Sequence, residues 1–340
     1  MGPRQRGVDA GDASEVNKMV KVKILKEDEE SIKVLLTDTD RAFVNAIRRT
    51  LMSDTPKMAI DTVRFVKKTE EEGDELWETD GPLPDEVIAQ RLAMIPIPTK
   101  HDEFYFQDEC PNCAEMVEED RGCALCTMLY YCQVKGSEEG TWVTAGDLNF
   151  LGDADGFIPK KYQPIPITKL FKGQMIEFSA TAVMGRGRDH VKWSPVSAVT
   201  FNPRQVGVMN VKSRSKVLWD LGLTIKAKDF KDGRLEDIEM VEDLKADLNH
   251  VGSGTEESRD FKEAIVLEDV AGEFILSFET DSSMTPRVAF EMAVKELYGR
   301  FVGIDEDLNA VLLIRWSYFL LVCSDDICPT FWDAANAVRM

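Results

Sequence analysis

Four cysteines stand in two close pairs, Cys110-Pro-Asn-Cys113 and Cys123-Ala-Leu-Cys126, with nine residues between the pairs. Two residues between cysteines let both sulfurs of one turn face a single metal ion. Two such turns provide the tetrahedral four-thiolate shell that suits zinc. The acidic loop 114–122 is too polar to bury a core of its own, so metal binding would have to stabilise it. The spacing predicts a compact zinc knuckle without a recognition helix.

Two alternatives stay open for these cysteines: an iron–sulfur centre, or thiols without metal, free or paired in disulfides. Cys132, in a predicted strand, is a small core residue or a spare ligand. A metal-dependent enzyme is the least supported interpretation, because four cysteine ligands leave zinc no position for water. The chain also has only three histidines, far apart, and it lacks the usual nucleophile and dinucleotide-binding motifs.

The charge of the chain argues against a surface that grips nucleic acid. Its 340 residues include 41 lysines and arginines against 61 aspartates and glutamates, a net charge of −20. Phosphate binding is carried by Lys and Arg, whereas the loop between the cysteine pairs contains Glu115, Glu118, Glu119 and Asp120. The alternative function is a free-standing zinc-knuckle regulator that binds nucleic acid. Such a regulator would need a basic stripe with interleaved aromatics, and none is found near the cysteines.

The sequence predicts a cytoplasmic protein without a membrane segment. No apolar run follows a basic start, so a secretory signal is not expected. The most apolar stretch, 310–322, includes Arg315 and is shorter than the roughly 20 apolar residues that a membrane helix needs. Cysteines in close pairs without a signal peptide favour a reducing compartment.

The elements that must position these residues are a mixture of strands and helices. Alternating apolar and charged residues predict strands at 20–25 and 32–36, and Asp40 with its neighbours predicts the N-cap of a helix that ends before Pro56. The apolar face of this helix is predicted to comprise Phe43, Val44, Ile47 and Leu51. Further strands are predicted at 104–106, 127–134, 174–184, 196–201 and 274–278, and further helices near Pro84, Ile238 and Pro286.

Asn45, Arg48 and Arg49 fall largely on the other faces of the first helix. Two adjacent arginines beside an asparagine could clamp the carboxylates of a partner, or they could form a solvated helix face. The basic turn 185–190 lacks the residue order of a phosphate-binding loop.

Three segments, in this order, resemble one family. They are the Asn45–Asp61 pattern N-A-I-R-R…P-K-M-A-I-D, the Arg91–Pro96 pattern R-L-A-M-I-P and the His190–Pro195 pattern H-V-K-W-S-P. Together they resemble the alpha-like subunits of DNA-directed RNA polymerase, a family that includes the D-type subunit of archaea and the third-largest eukaryotic subunit. The resemblance covers about 19–308.

This resemblance implies an α+β fold. A dimerisation domain, a sheet with helices on one face, is expected from 19–60, 168–202 and 264–308. A mostly β domain with the cysteine knuckle is expected as an insertion at 61–167. Residues 203–263 would be a remnant of a ferredoxin-like insertion; they contain no cysteine, so no iron–sulfur cluster is expected there. Residues 1–18 are expected to be a disordered leader and 309–340 an atypical tail.

The resemblance also implies a function, that of a non-catalytic assembly subunit of DNA-dependent RNA polymerase. Such a subunit pairs with the small subunit L and then docks the large catalytic subunits and the small subunits N and P. It contacts DNA only through the complex. Asn45, Arg48 and Arg49 are the candidates for contacts with a large subunit. Arg188, Lys192 and Trp193, in the loop Gly185–Trp193, are weaker candidates.

Overall fold

The computed structural model describes residues 19–322 except 74, 153–157, 211–224, 226 and 251–263. The leader predicted at 1–18 and the 323–340 part of the predicted tail lie outside the described residues. The strands are β1 (Lys21–Glu27), β2 (Ser31–Thr37), β3 (Pro56–Phe65), β4 (Thr69–Glu72), β5 (Glu75–Glu78), β6 (Thr127–Lys135), β7 (Thr141–Thr144), β8 (Asn149–Phe150), β9 (Pro166–Leu170), β10 (Met175–Arg186), β11 (Val196–Met209), β12 (Arg234–Leu235) and β13 (Ile265–Thr280). The helices are α1 (Arg41–Ser53), α2 (Asp85–Ala93), α3 (Ile238–His250) and α4 (Pro286–Val322).

The first sheet has the order β1-β2-β13-β11-β12, and its neighbouring strands are antiparallel. Helices α1 and α4 pack on one of its faces, because alternate residues of β2 and β13 are apolar and meet the apolar stripes of both helices. The buried residues of this core are Ile32, Val34, Leu36, Val44, Ile47, Leu51, Val196, Leu276, Phe278, Met284, Ala289 and Ala293.

Helix α1 begins as the sequence predicts. The Asp40 carboxylate accepts a hydrogen bond of 2.7 Å from the backbone N–H of Phe43, which satisfies a free donor of the first turn. Three of its four predicted apolar residues are buried, whereas Phe43 is partly exposed. Pro56 begins β3 three residues after the helix ends, as expected of a residue that cannot continue a helix.

Helix α3 lies toward the other face of the first sheet. Glu242 of α3 is 2.5 Å from the Nζ of Lys33, a residue that alternates with the buried Ile32 and Val34. Val241 and Leu244 pack with Leu235 and neighbouring apolar residues in a small separate core. A helix from 203–263 therefore accompanies the first sheet, and the assignment of this range as a ferredoxin-like remnant stays a prediction.

The second sheet has the order β3-β10-β6-β8, with the two-stranded pairs β4-β5 and β7-β9 beside it. Helix α2 contacts β3 and β9, and Ile88 and Leu92 of that helix are buried in the same core as Tyr130 and Phe178. Because β10 pairs with β3 on one side and with β6 on the other, the sheets divide the chain near 56 and 186. The predicted domain bounds at 60, 61, 167 and 168 stay a prediction.

Several elements differ from the sequence prediction. Residues 104–106 are irregular rather than a strand; Phe104 N–H donates to Lys100 O at 3.2 Å and Tyr105 N–H to Leu125 O at 3.0 Å. Strands β11 and β13 extend well beyond the predicted 196–201 and 274–278, because Gly272 (φ +75°) and a register shift after Pro203 accommodate the interruptions in their apolar alternation. Helix α4 continues to Val322. Among the helices in the described part of the chain, none combines the length and apolarity that crossing a bilayer requires.

Candidate metal centre and subunit contacts

The four cysteine sulfurs of the knuckle converge at one point. Cys110, Cys113 and Cys126 are buried and Cys123 is half-buried. The Sγ–Sγ distances are 3.5 Å from Cys110 to Cys123, 3.8 Å from Cys123 to Cys126 and 3.8 Å from Cys113 to Cys126. All four sulfurs lie within 4.8 Å of one another. The cluster could therefore hold a metal ion at its centre, and the separations leave room for one ion rather than for a cluster of several.

Two matching backbone turns create this convergence. In the first, the N–H groups of Cys113 and Ala114 donate to Cys110 O at 3.1 and 2.9 Å. In the second, Cys126 and Thr127 both donate to Cys123 O at 3.0 Å. Each turn directs its two sulfurs inward, so the knuckle follows from local geometry that the C-x-x-C spacing encodes.

One arginine holds the loop between the two turns in its conformation. Arg121 donates to Met116 O at 3.2 Å and to Ala114 O at 3.3 Å. The only helical structure in the loop is a single 3-10 turn at Glu118–Asp120, so the prediction of a knuckle without a recognition helix is confirmed. The acids of this turn are exposed.

The thiols differ in acidity. A backbone hydrogen bond from Leu125, with the neighbouring sulfurs, lowers the pKa of Cys123 to about 6, whereas burial raises the pKa of Cys126 to about 12. Metal binding requires all the sulfurs to lose their protons, so a cation at the centre would replace the sulfur–sulfur contacts with metal–thiolate bonds. Cys132, the candidate spare ligand, lies in β6 in the apolar core of the second sheet, and burial raises its pKa to about 12.

The first candidate contact group lies on α1. Arg48 Nε donates to Asn45 Oδ1 at 3.0 Å, and Arg48 Nη1 lies 3.5 Å from the Met52 sulfur. Arg49 is exposed and pairs with no carboxylate among the residues that the structure describes. The asparagine thus orients one guanidinium while the other projects freely from the helix.

The second candidate contact group lies on the loop after β10, which packs on the last turn of α1. The Arg188 N–H donates to Ser53 O at 2.9 Å, and a Cβ at Gly187 would lie only 2.1 Å from Met52 O. Only glycine therefore permits this close approach. The sequence did not show that the two candidate groups meet, because more than a hundred residues separate them.

Within this loop, Lys192 and Trp193 make internal contacts. Trp193 Nε1 donates to Val183 O at 3.1 Å. The Lys192 ammonium lies 2.6 Å from the Asp61 carboxylate and 4.2 Å from the Trp193 ring centroid. Of the three candidates, Arg188 is the most accessible, with a side chain that is 53% exposed. Its Nη1 is 3.7 Å from Asp54 Oδ1.

Buried charges that the sequence analysis missed connect α1, α4 and β10. The Asp54 side chain is 4% exposed and accepts a hydrogen bond from Arg300 of α4. Arg186, at the end of β10, donates to Asp54 O at 2.8 Å and to Glu296 of α4 at 2.5 Å. Lys57 of β3 forms a similar buried pair with Asp281. No sequence pattern indicates these pairs, because the partners are far apart in the chain.

The sequence of the chain matches a known family. The model of the RNA polymerase Rpb3/Rpb11 dimerisation domain aligns with residues 33–301. Subunit Rpo3 of the DNA-directed RNA polymerase of Picrophilus torridus is 30% identical over 289 residues, which cover 84% of this chain and 98% of that protein.

Two further relatives extend the comparison. The Rpo3 subunit of Thermococcus kodakarensis is 37% identical over 178 residues, 52% of this chain and 57% of that protein. The rpb3 subunit of RNA polymerase II from Dictyostelium discoideum is 31% identical over 207 residues, 58% of this chain and 62% of that protein. The chain therefore belongs to the RNA polymerase Rpb3/Rpb11 dimerisation-domain family, in which archaeal Rpo3 and eukaryotic Rpb3 are its relatives.

Proposed function

We propose that the protein is a core assembly subunit of DNA-directed RNA polymerase. The alignment of residues 33–301 with the dimerisation domain of this family carries the proposal. The relatives are subunits of a nucleotidyltransferase complex. We assign no catalytic residue to this chain and place the metal-binding aspartates of nucleotidyl transfer in the large subunits. The protein would act in the cytoplasm and reach DNA only through the complex.

The first partner is the Rpb11-type subunit, L in archaeal polymerases. Helix α4 exposes Val294, Tyr298 and Phe301 on the side that does not contact the first sheet, and β1 exposes Val22 and Ile24. Large apolar side chains that are exposed on a helix and on a strand of one domain indicate a protein interface. Pairing with L through this surface would remove their apolar area from water, which is the main favourable term in association.

The large catalytic subunits, with the small subunits N and P, would dock on the heterodimer. Asn45, Arg48 and Arg49 form the core of the proposed contact with a large subunit, since planar guanidinium groups bind carboxylates through two parallel hydrogen bonds. Arg188 extends this surface. Lys192 and Trp193 support this surface indirectly, because they hold the loop against β3 and β10.

The knuckle would hold zinc as a structural ion. In a tetrahedral shell with zinc–sulfur bonds of about 2.3 Å, neighbouring sulfurs are roughly 3.8 Å apart, close to the 3.5–3.8 Å between the Sγ atoms here. Four thiolates close the shell, so the ion would contribute folding free energy and no catalysis. The exposed acids of the loop disfavour the alternative of a nucleic-acid-binding regulator.

Co-expression with subunit L from the same source, followed by size-exclusion chromatography and metal analysis, tests the proposal. A one-to-one complex that contains about one zinc ion is expected. A monodisperse chain that does not bind L would refute the assembly function, and an electrophoretic shift of nucleic acid by this chain at physiological salt would favour the regulator.

The contact residues have a separate test. Arg48→Ala with Arg49→Ala should leave pairing with L intact and weaken recruitment of the large subunits in reconstitution. Arg64→Ala, an exposed arginine of β3, is the control and should change neither step. Wild-type assembly by the double variant would remove the assignment of these arginines.

A further inference from the structure

Two exposed aromatic rings stand on either side of a lysine on the outer face of the strand pair β7-β9. Trp142 and Lys169 are direct partners across the two strands, and Phe171 follows two residues after Lys169, so the three side chains share one face. The alternate residues Val143 and Leu170 are buried in the core. Trp142 is 55% exposed and Phe171 is 47% exposed, so this face presents both rings to solvent.

The ammonium group of Lys169 lies close to both rings. Its Nζ is 5.7 Å from the centroid of the Trp142 ring and 5.2 Å from the centroid of the Phe171 ring, within the range of cation–π attraction. An ammonium group also has three N–H donors. Among the residues that the structure describes, no carboxylate or carbonyl oxygen accepts from this ammonium. Its donors are therefore available to an acceptor from another molecule.

A tight turn restricts the position of this lysine. Gly140 has a φ of +85°, and its N–H donates to Ser137 O at 3.1 Å. A Cβ at Gly140 would lie 2.4 Å from Lys169 Cε and 2.9 Å from Phe171 Cε1, so the lysine side chain lies directly against the backbone of the turn. A side chain that is already restricted loses less conformational entropy when it binds a partner.

The surrounding charges favour a single carboxylate over a nucleic acid. Lys172, the neighbouring cation, lies 2.8 Å from a Glu138 oxygen and 3.3 Å from a Glu75 oxygen. Glu139 is exposed in the same turn as Glu138. A nucleic acid would bring successive phosphates toward these three glutamates, and of the two lysines Lys169 alone is free to neutralise them. A single carboxylate needs one ammonium group and no more.

The aromatic rings indicate what must accompany that carboxylate. Tryptophan is enriched among the residues that contribute most to protein–protein binding, and the other extreme in this domain is Trp77, which is 8% exposed. A free small acid would leave both rings in water. An acidic residue of a protein chain, with apolar neighbours in sequence, would bind the ammonium and cover the rings at the same time.

We propose that Trp142, Lys169 and Phe171 bind a glutamate or aspartate of a partner protein that is flanked by apolar side chains. The carboxylate accepts from the Lys169 ammonium, and its neighbours pack on the two rings. None of these three residues belongs to the surfaces of α1, α4 and β1 that are assigned to subunit L and the large subunits above. The inference is therefore independent of the proposed assembly function.

A peptide library tests the inference on the full chain. The probes are blocked nonapeptides with glutamate at the centre and Leu, Phe, Ser or Gly at each other position. Affinity selection should enrich peptides with Leu or Phe beside the glutamate. Replacing the central glutamate by glutamine should raise Kd, measured by fluorescence anisotropy, roughly tenfold or more, because a hydrogen bond to a charged group is lost.

Three variants of the chain complete the test. Lys169→Met keeps the length of the side chain, and Trp142→Thr places a strand-favouring residue at an exposed position; each should raise Kd of a selected peptide at least tenfold. The matched control is Lys67→Met. Lys67 also lies over an aromatic ring, that of Phe65, but it already pairs with Asp85 at 2.8 Å. This control should change Kd less than twofold.

Several results would overturn the inference. They are a library without enrichment of apolar neighbours, and equal Kd values for Lys169→Met and Lys67→Met. Binding of labelled oligouridylate that Lys169→Met abolishes would assign the site to single-stranded nucleic acid instead. Self-association of the wild type that Trp142→Thr abolishes would assign it to a second copy of this chain. Subunit L takes no part in these measurements, so their failure leaves the proposed function standing.

Discussion

A single substitution at Asp54 should weaken the contacts that join α1, α4 and β10. Its carboxylate is 4% exposed, accepts from Arg300, and lies 3.7 Å from Arg188 and 2.8 Å from Ser53 Oγ. Asp54→Asn preserves the size of the side chain and removes its charge. Both arginines would then face a neutral group that can accept fewer hydrogen bonds.

The expected loss of folding free energy follows from the exposure of the Asp54, Arg300 and Arg188 side chains. Breaking a buried ion pair costs roughly 3–5 kcal/mol. Here Arg300 and Arg188 are 45% and 53% exposed, so water can solvate both after the change. We therefore expect a loss of about 1.5–2.5 kcal/mol, the value of a hydrogen bond to a charged group. With about 2–4 °C per kcal/mol for a large domain, Tm should fall by roughly 3–10 °C.

Thermal unfolding of the purified heterodimer, followed by circular dichroism, measures this loss. Glu103→Gln is the control, because its pair with Lys100 is exposed and should contribute less than about 1 kcal/mol. A double-mutant cycle with Arg300→Gln should show a coupling of about 1 kcal/mol or more. Additive effects of Asp54→Asn and Arg300→Gln, or an unchanged Tm for Asp54→Asn, would refute the reasoning.

Three further predictions address the knuckle, the loop and acid stability. Cys113→Ser should release the metal and increase hydrogen exchange in 100–135 while both sheets stay protected; loss of protection throughout would contradict a local role. Gly187→Ala should weaken recruitment of the large subunits, because its Cβ would displace Met52 O, and wild-type recruitment would argue against the packed loop. The Lys161 ammonium, with Tyr162 and Ser282, lowers the pKa of Glu30 to about 2. Since this folded-state pKa is below the unfolded value, Glu30 stabilises the protein above about pH 4.5 and loses this contribution as pH falls toward 2; Glu30→Gln should flatten that part of a stability–pH curve.

The sequence predicted well those features that depend on near neighbours. The C-x-x-C turns, the Asp40 cap and the apolar stripe of α1 all lie within a few residues, and each is seen in the structure. Local patterns of this kind specify local geometry, because the backbone turn or helix brings the named side chains together directly.

Features that depend on distant pairing were not predictable. Residues 104–106 have the composition of a strand, but Tyr105 makes a single backbone hydrogen bond to Leu125 and no ladder forms. Tertiary context decided this element, as it often does for short apolar runs. The charges around Asp54 and Arg186 are likewise indistinguishable in sequence from solvated surface residues, because their partners come from α4.

The chain enters and leaves the second sheet at two adjacent positions. Pro56 and Arg186 are direct partners across β3 and β10, so the whole of 56–186 forms a closed loop whose ends are pinned side by side. Changing the length of such a loop alters its closure entropy only slowly. This module could therefore be enlarged, shortened or replaced without moving the first sheet or the helices that pack on it. A chain with 57–185 exchanged for a short hairpin turn should retain the dimerisation scaffold.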